Sequence, residues 1–434
     1  METKHIEFVR IDSRCAIFGR IERNRSLCAR GGALSQYDTQ VAIIGAGPAG
    51  LILGHLLSLA GIDNVILESR TRDYVEARVR AGVLEQASVG LLDLVGVADR
   101  LKTEGLVHEG IYLQFNQQRH HISFGELVEG AVTIYGQQEV LKDLIGDRVR
   151  HEWPLIFGAE VQVIEDVGSA KPTLRYRDKD GDHEVTASFI AACDGTHGIG
   201  RSSIPSMRTY NHDYPYSWLG ILADAAPATD ELIYAYSDRG FALYSMRSPS
   251  ISRLYLQVPS TEDLTHWSHS QIWEELSLRL ASTGFEVTTG EITEVGLTPM
   301  RSVVSTPMRH GHLFLAGDSA HVVPPTGAKG LNLALQDALD LGVGIIHAIK
   351  GRDYEDLDGY SDRCIARVWQ IQRFSNFMTS LMHLNYSADE YQRQLQRADQ
   401  RGVSISRAEA TSLAERYVGR PLDDRARSIS KWFV

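Results

Sequence analysis

The order of apolar and polar residues between positions 41 and 68 predicts a strand, a helix and a second strand. Residues 41–44 are all apolar, and a short unbroken apolar run is typical of a strand buried on both faces. Residues 51–60 continue with an apolar run of helical length, and residues 64–68 repeat the buried-strand pattern. This spacing predicts a β-α-β unit whose two strands are parallel.

Further along the chain the pattern changes twice. The segments Ser188-Phe-Ile-Ala-Ala-Cys193 and His312-Leu-Phe-Leu-Ala316 are apolar and predict two more buried strands. Between about 210 and 299 the residues alternate in β fashion around one helical stretch at 270–281, which predicts a mostly antiparallel sheet. A long helix is predicted from about 328 to 350, and the rest of the chain is largely helical. We therefore predict an α/β fold, α+β overall, in which a β-sheet region interrupts the first domain.

Three glycines follow the first predicted strand at the spacing G-x-G-x-x-G. Gly45 permits a tight turn, Gly47 lets the backbone approach a pyrophosphate, and Gly50 lets the helix pack closely on the strand. The helix N-terminus behind them offers free N–H groups and a partial positive charge to phosphates. Glu68 closes the second strand at the position where an acidic residue binds a ribose hydroxyl. Together these features predict a Rossmann-like dinucleotide site.

Composition excludes several classes of function. The chain has 434 residues, a net charge of -11, 43% hydrophobic and 23% charged residues, which is ordinary for a globular protein and argues against a nucleic-acid or anionic-membrane surface. No apolar run reaches the roughly 18 residues of a membrane span. The four cysteines (Cys15, Cys28, Cys193 and Cys364) lack metal-site spacing. We expect free thiols, no metal site and a cytoplasmic location.

The first 36 or so residues differ from the rest of the chain. They contain many arginines and no clear period, but they lack the apolar segment of a secretory signal, and their acidic residues argue against a transit peptide. We expect residues 1–38 to be a poorly ordered extension without a role in chemistry.

Two further loops follow predicted strands and carry an aspartate. Asp194-Gly195 follows one strand, Gly317-Asp318 follows another, and each pair alone is common at ordinary turns. In this order, after the glycine fingerprint, they resemble the three motifs of the single-component flavoprotein aromatic hydroxylases. The resemblance implies a 39–209 FAD-binding domain completed by 300–330, a 210–299 β-sheet substrate domain and a 331–434 helical interface region.

The resemblance implies a set of residues for each nucleotide. Asp194 would serve both nucleotides. FAD, tightly bound, would contact Gly45, Gly47, Gly50, Glu68, Arg78, Arg80, Gln137, Asp318, Lys329, Gly330, Leu331 and Asn332. NADPH, as cosubstrate, would contact Arg70, Tyr74, His197 and Arg301. Ser69 stands where many NADPH-dependent members have arginine, so NADH stays open as the cosubstrate.

The loop from Asp318 to Asn332 has a physical rationale of its own. Two prolines favour an extended approach, two glycines let the backbone lie against a flat ring, and the following helix points its positive end at that place. Lys329 would add positive potential there or be a solvated lysine at the helix start. Asn332 would bond the flavin or only cap the helix.

Residues two apart in a strand share a face, and this brings four polar side chains together. Ser245 and Arg247 are so spaced, as are Arg253 and Tyr255 on the next predicted strand. Arginine, serine and tyrosine converging on one face predict a receptor for a small carboxylate. The alternative for Arg253 is a surface arginine.

Several stretches are similar to the 4-hydroxybenzoate hydroxylases within this family. They are Arg78-Val-Arg80-Ala-Gly-Val-Leu-Glu85, Glu231-Leu-Ile-Tyr234, Arg239-Gly-Phe-Ala-Leu243, Val323-Pro-Pro-Thr-Gly-Ala-Lys-Gly-Leu-Asn332 and Tyr417-Val-Gly. The similarity implies that Tyr234 and Tyr417 form a hydrogen-bonded chain from the substrate phenol and that His108 passes the proton to solvent. The carbonyl of Pro325 would face the substrate oxygen.

The expected activity is hydroxylation of 4-hydroxybenzoate at its 3-position with O2 and NAD(P)H, through the substrate phenolate. Alternatives are a hydroxylase of another para-substituted benzoate, such as 4-aminobenzoate or 3,4-dihydroxybenzoate, and a flavoprotein that senses an aromatic acid. The resemblance also implies a homodimer formed through the carboxy-terminal region.

Overall fold

A computed structural model of the protein describes residues 35–78, 80 and 82–434. Most of the predicted extension, residues 1–34, therefore lies outside the described residues. The first strand begins at Ser35, so residues 35–38 belong to a sheet and not to the extension. Their pairing with residues 183–186 of a neighbouring strand accounts for this difference.

The strands are, in chain order, β1 Ser35–Ile44, β2 Asn64–Glu68, β3 Val83–Leu84, β4 Leu106–His108, β5 Gly110–Phe115, β6 Gln118–Ser123, β7 Val132–Ile134, β8 Leu155–Phe157, β9 Glu160–Glu165, β10 Thr173–Asp178, β11 Gly181–Ala192, β12 Arg208–Asp224, β13 Ile233–Ala235, β14 Ala242–Ser248, β15 Ile251–Pro259, β16 Glu291–Thr306, β17 Arg309–His310, β18 Leu313–Leu315 and β19 His321–Val322.

The α-helices are α1 Pro48–Leu59, α2 Arg72–Ala77, α3 Gln86–Leu94, α4 Asp99–Glu104, α5 Phe124–Val128, α6 Gln137–Arg150, α7 His269–Arg279, α8 Gly330–Ile346, α9 Glu355–Asp358, α10 Tyr360–Met382, α11 Glu390–Ile405, α12 Arg407–Val418 and α13 Asp424–Ser428. Within the described part of the chain, none of them has both the length and the apolar character needed to span a bilayer.

The first sheet confirms the predicted β-α-β unit and its parallel neighbours. Its strands lie in the order β17-β18-β11-β1-β2-β8, with β10 and β9 added beside β11. The strand β1 pairs in parallel with β2 and β11, and β11 pairs in parallel with β18. Because parallel strands end at one edge, the loops after β1, β11 and β18 meet there.

The second sheet is larger than the predicted 210–299 region. Its order is β19-β16-β12-β15-β14-β13-β5-β6. Both predicted boundaries fall inside strands, since β12 begins at Arg208 and β16 continues to Thr306. These two strands pair along nearly their whole length, and β5 from the first half of the chain pairs in parallel with β13. The sheet therefore joins segments on both sides of the predicted domain limits.

The remaining elements connect the two sheets. A three-stranded sheet, β3-β7-β4, carries His108 at the end of β4. The carboxy-terminal helices pack back on the body, and the ring of Tyr417 on α12 stacks on Phe124 of α5 at a centroid distance of 5.2 Å. Tyr417 is only 1% exposed, so a residue near the end of the chain is part of the core.

Candidate active site

The glycine turn after β1 has the geometry that its spacing predicts. Gly45 has a φ of +101°, and a Cβ there would lie 2.4 Å from the carbonyl oxygen of Cys193. A Cβ at Gly50 would lie 2.0 Å from the Gly45 carbonyl oxygen, whereas one at Gly47 would meet nothing within 4 Å in the part of the chain that the structure describes. The fold itself thus requires Gly45 and Gly50, and Gly47 borders open space.

The helix α1 presents its amino end to that open space. Gly47 is its N-cap, no side chain caps it, and no acidic residue lies in its first turn. The first N–H groups of a helix lack intrahelical partners and carry a partial positive charge. This end of α1 is suited to binding a phosphate.

Glu68 lies at the end of the neighbouring strand β2. Its Oε2 accepts from the Ala46 amide at 2.7 Å, and its Oε1 accepts from the Arg70 amide at 2.8 Å. A carboxylate has about four acceptor positions, so Glu68 can still accept from a ribose hydroxyl. Beyond it the Arg70 guanidinium lies 5.4 Å from the centre of the exposed Tyr74 ring.

The loop after β11 is tied to the loop after β18 by a residue that the sequence patterns did not reveal. Arg201 donates from Nε to the Ser319 carbonyl at 2.9 Å and from Nη2 to the Asp318 carbonyl at 3.0 Å. Asp194 accepts from the Gly200 amide at 2.8 Å through Oδ2. Its Oδ1 is buried without a partner among the described residues, and burial raises the pKa of Asp194. The carboxylate lies against the backbone of residues 198–200, so Asp194 holds the loop after β11 in place.

Positive side chains line the rim of the same loops. Arg80 donates to Asp318 at 3.4 Å, with both side chains partly exposed. Arg78 is exposed nearby, and partial burial together with the charge of Arg80 lowers its pKa. These two arginines lie where an anionic group on the loops would be attracted.

Two further predicted residues lie on the side of Arg201. His197 is exposed in the loop after β11, and Arg301 is half-buried on β16 opposite Asp213. Burial lowers the pKa of Arg201, and the charge of Arg301 lowers it further. Arg301 and Arg201 therefore form a second positive area, next to Asp194.

These features fit an FAD molecule. The uncapped end of α1 and the open face of Gly47 suit its pyrophosphate, and Glu68 suits a ribose. Gln137 opens α6 and is half-buried, and Gly330 and Leu331 open α8.

The loop before α8 forms a short 3₁₀ turn, Pro325–Gly327. The Pro325 carbonyl accepts from the Ala328 amide at 2.8 Å, and Ala328 has a left-handed φ of +52°. A carbonyl oxygen has two lone pairs, so this oxygen can accept one further bond.

Lys329 is buried, which rules out the solvated lysine considered from the sequence. It is 1% exposed, and its Nζ donates to Glu85 Oε1 at 2.7 Å and to the Tyr417 carbonyl at 2.8 Å. A buried ammonium needs such partners, because an unpaired one would be strongly disfavoured. Lys329 thereby joins three distant parts of the chain.

Asn332 does more than cap its helix. Its Oδ1 accepts from the Glu85 amide and the Ser88 hydroxyl, and its Nδ2 donates to the carbonyls of Val83 and Ala328. An asparagine side chain offers two donors and two acceptor positions, and protein groups occupy all four. In this arrangement Asn332 has no free hydrogen-bonding position for a flavin.

The two predicted tyrosines are in direct contact. The hydroxyl oxygens of Tyr234 on β13 and Tyr417 on α12 lie 2.7 Å apart, and both side chains are 1% exposed. Burial raises the pKa of both phenols well above the ordinary value. Both are therefore neutral at pH 7 and form a chain that can accept a proton at one end and donate one at the other.

His108 is buried at the end of β4. Burial lowers its pKa to about 4, partly opposed by the charge of Asp230. Its Nδ1 has no hydrogen-bond partner among the described residues. The imidazole is thus neutral at pH 7 and has a free position for a proton or a water molecule.

One face of the second sheet carries the remaining predicted residues in a regular grid. Tyr234 is opposite Leu243 on β14, and Leu243 is opposite Tyr255 on β15. Two residues further along, Ser245 is opposite Arg253. Directly opposed residues share a face, so the tyrosine row and the serine–arginine row lie about 7 Å apart along the strands.

Ser245 and Arg253 are partly engaged with each other and with protein groups. The Ser245 hydroxyl donates to the Arg253 carbonyl at 2.7 Å, which uses its single proton. Arg253 is 8% exposed, donates to the Tyr255 hydroxyl at 3.3 Å and pairs with Glu294 at 3.4 Å. It is therefore not a surface arginine, and Ser245 must rotate before it can donate to a ligand.

Arg247 has one buried donor without a partner in the described part of the chain, and its guanidinium lies beside Tyr255. Its Nη1 donates to the Met246 carbonyl at 3.2 Å, and its Nε is buried without a partner among the described residues. Burial lowers its pKa, and the nearby charge of Arg253 acts in the same direction. Two close and desolvated guanidinium groups favour an anion between them.

The sequence patterns missed Arg201 and the partners of Lys329. Arg201 belongs to no recognisable motif, and its role arises from a contact over 117 residues. Glu85 is separated from Lys329 by 244 residues. No local signal in a single sequence marks contacts of this range.

Comparison with known proteins supports FAD as the cofactor. Residues 38–375 match a family described as an FAD binding domain. The p-hydroxybenzoate hydroxylase of Acinetobacter baylyi is 46% identical over 389 residues, which cover 89% of this chain and 96% of that protein. An uncharacterized aromatic compound monooxygenase of Bacillus subtilis is 26% identical over 72% of this chain and 62% of its own length.

A solved structure shares the fold at much lower identity. The p-nitrophenol 4-monooxygenase of Pseudomonas putida superimposes with a TM-score of 0.73 at 18% identity, covering 89% of this chain and all of that one. This likeness concerns the fold alone.

Proposed function

This chain belongs to the FAD-binding aromatic hydroxylases, and on that premise we propose that it hydroxylates 4-hydroxybenzoate at the 3-position with O2 and NAD(P)H. The product is 3,4-dihydroxybenzoate. The observation that carries the proposal is a sheet face on which Tyr234, hydrogen-bonded to Tyr417 of α12, and the Ser245–Arg253 pair lie two residues apart along the strands. Arg247 interacts with Arg253 and Tyr255 and has a buried Nε without a partner among the described residues.

The tyrosine pair is proposed to receive the phenol end of the substrate. An unperturbed phenol has a pKa near ~10, and its anion makes the ring more electron-rich at the neighbouring carbon. Tyr234 accepts the phenol proton, and the 2.7 Å contact with Tyr417 passes a proton onward. The Pro325 carbonyl faces the same substrate oxygen. His108, neutral at pH 7, takes the proton toward solvent.

The arginine side is proposed to hold the carboxylate. Arg247 binds it through its guanidinium, whose Nε has no partner among the described residues. Arg253 contributes positive charge, Tyr255 a hydroxyl, and Ser245 donates after rotation. Rows about 7 Å apart suit one benzene ring with substituents at opposite ends.

The cofactors occupy the other side of the site. FAD, when bound, supplies the transfer of two electrons from the nicotinamide and the activation of O2. We propose that the predicted FAD residues, apart from the fully occupied side chain of Asn332, hold it in the loops at the first sheet, with Arg78, Arg80 and Asp318 at their rim. Arg70, Tyr74, His197 and Arg301 are the proposed contacts of NADPH, with NADH open because of Ser69. Burial of both tyrosines excludes water from the phenol end.

The test is oxidation of NADPH by the FAD-loaded protein in air, followed at 340 nm, with and without 4-hydroxybenzoate. Stimulated oxidation with one 3,4-dihydroxybenzoate formed per NADPH, measured by chromatography, supports the proposal. Stimulation that yields only peroxide supports the carboxylate site and contradicts the assigned phenol chemistry.

Parallel reactions separate the alternatives. If kcat/KM is higher with 4-aminobenzoate or 3,4-dihydroxybenzoate than with 4-hydroxybenzoate, that benzoate is the substrate instead. Binding of the acid without any oxidation of NADPH or NADH points to a sensor and contradicts the enzyme assignment.

We also propose that the enzyme is a homodimer in the cytoplasm, formed through its carboxy-terminal helices. Sedimentation at micromolar concentration measures the oligomeric state directly, and a monomer there contradicts the dimer.

A further inference from the structure

A chain of buried charges lies beneath the loop after β18. It begins at Asp337 on α8, which is 0% exposed. Asp337 Oδ2 accepts from the Gly317 amide at 3.1 Å and from His321 Nε2 at 2.5 Å, and His321 is 2% exposed. One carboxylate oxygen therefore fastens both ends of the loop that carries Asp318.

The other oxygen of Asp337 connects to the carboxy-terminal helices. Arg367 on α10 donates to Asp337 Oδ1 at 3.0 Å and to Asp340 Oδ2 at 2.5 Å. Arg425 on α13 then donates to Asp340 Oδ1 at 2.7 Å and to Asp356 at 2.5 Å. The ion chain of Asp337, Arg367, Asp340 and Arg425 thus runs from the cofactor loop to the last α-helix.

A buried carboxylate is retained as an anion only when its partners compensate its desolvation. Burial alone would raise the pKa of Asp337, and the opposing contributions of His321 and Arg367 hold it below the ordinary value. The anion is therefore present at neutral pH and accepts charge-assisted hydrogen bonds, which are stronger than neutral ones.

The loop Gly317–His321 begins with a residue in the left-handed region of backbone conformation. Gly317 has a φ of +66°, and a Cβ there would lie 3.2 Å from the Cβ of Ala334. The amide that donates to Asp337 is that of Gly317, the residue directly before Asp318. This hydrogen bond therefore fixes the orientation of the backbone at Asp318 and in the turn that follows.

We propose that Asp337 is a positioning residue for the cofactor loop Gly317–His321, and that the ion chain holds its carboxylate in place. The inference rests on the proposed function, because it takes the loop to be part of the FAD site. Asp337 touches no proposed ligand and acts through the Gly317 amide and His321.

The experiment measures FAD binding to the apoprotein by quenching of flavin fluorescence, together with the visible flavin spectrum and the unfolding temperature without FAD. D337N keeps the shape of the side chain and removes its charge. The matched control is D358N, because Asp358 pairs with Arg309 at 2.7 Å but is 67% exposed. We expect D337N to weaken FAD binding by about tenfold or more, with an altered spectrum, and D358N to stay within about twofold of wild type.

A purely structural role for Asp337 would lower the unfolding temperature and leave FAD affinity of the folded protein unchanged, and that result overturns the inference. If D337N does not fold, R425Q, at the far end of the ion chain, is expected to weaken FAD binding by about threefold, and unchanged affinity overturns the inference instead. Wild-type protein that takes up no FAD overturns the proposed function and this inference with it. If wild-type protein binds FAD and D337N binds it with the same affinity, only this inference is overturned.

Discussion

The cofactor loops and the substrate face of the second sheet are built on different principles. The loops proposed to bind FAD offer their backbone: the open face of Gly47, the uncapped end of α1 and the turn at Gly317 depend on main-chain geometry. The proposed substrate face offers side chains, with buried hydroxyls and guanidinium groups on three neighbouring strands.

The two regions therefore tolerate different amino-acid substitutions. A backbone site is lost when a Cβ closes the space it needs, whatever the chemistry of that side chain. A side-chain site keeps its shape under conservative substitution and loses one chemical function at a time. Variants of the two regions should therefore fail in different measurements.

The largest effect is expected from Gly50→Ala. A Cβ at this position would lie 2.0 Å from the Gly45 carbonyl, so the strand and helix must move apart, at about 3 kcal/mol or more of stability. We expect loss of both FAD binding and thermal stability, measured by flavin content and by the unfolding temperature of the apoprotein.

Gly47→Ala is the matched control, because its Cβ would meet no atom of the described residues within 4 Å. We expect its apoprotein to unfold at the wild-type temperature while FAD binds more weakly. Equal destabilisation by the two variants would contradict the assignment of Gly47 to the ligand side.

The next effect is expected from Arg247→Gln on the substrate face. Removing a desolvated partner of a carboxylate is worth about 3 kcal/mol, which corresponds to a rise of about 100-fold in KM for 4-hydroxybenzoate. FAD affinity should not change. Arg239→Gln serves as control, since Arg239 pairs with Glu275 and is largely exposed. A normal KM in Arg247→Gln would place the carboxylate elsewhere.

Tyr234→Phe should lower kcat by about 100-fold at an almost unchanged KM. The variant keeps the ring and removes the hydroxyl that lies 2.7 Å from Tyr417, which interrupts proton transfer from the phenol. Raising the pH to that of phenol ionisation should restore part of the rate, because the substrate then arrives as its anion. Steady-state kinetics from about pH 7 to about pH 9.5 measure this, and a rate equal to wild type at neutral pH contradicts the role of the pair.

The smallest effect concerns stability at acid pH. Burial lowers the pKa of His108 to about 4 and that of His383 to about 3, both below the ordinary value. Between about pH 6.5 and 4 the unfolded chain binds protons that the folded chain does not, so stability falls as the pH falls. Urea unfolding at pH 7, 6 and 5 measures how steeply the free energy of unfolding changes with pH. In His108→Gln this slope should be smaller than in the wild type by up to about 1 kcal/mol per pH unit.

His266→Gln is the control for that slope, because the His266 side chain is 71% exposed. It should retain the wild-type dependence on pH. An identical slope in His108→Gln and in the wild type would show that the pKa of His108 is not lowered by folding.

The two regions also differ in how far a single sequence predicts them. The glycine spacing, the buried strands and the acidic residue at the end of β2 are local, so their arrangement at one sheet edge follows from the chain order. The tyrosine pair spans 183 residues, and only a resemblance to a family joins Tyr234 to Tyr417. Hydrophobic periodicity carries no information about which distant side chains meet.

Other features could not be predicted because they depend on exact neighbours. The predicted sheet boundary at 299 lies where the pattern changes, although β16 runs on to Thr306 because β12 pairs with it throughout. The proton of Ser245 is used by the Arg253 carbonyl, and Asn332 is fully occupied by β3 and α3 with the loop before α8. Such hydrogen bonds follow from register and rotamer, which the sequence alone does not reveal.

The position of Tyr417 in the packed core has an evolutionary consequence. The glycine turn, the aspartate loops and the start of α8 all precede this residue, and the hydrogen-bond partner of Tyr234 is supplied by a late helix of the chain. The carbonyl of Tyr417 also accepts from Lys329, which stands directly before α8. A lineage that exchanged this helix would lose both contacts at once, so the terminal helices and the loop before α8 have to diverge together.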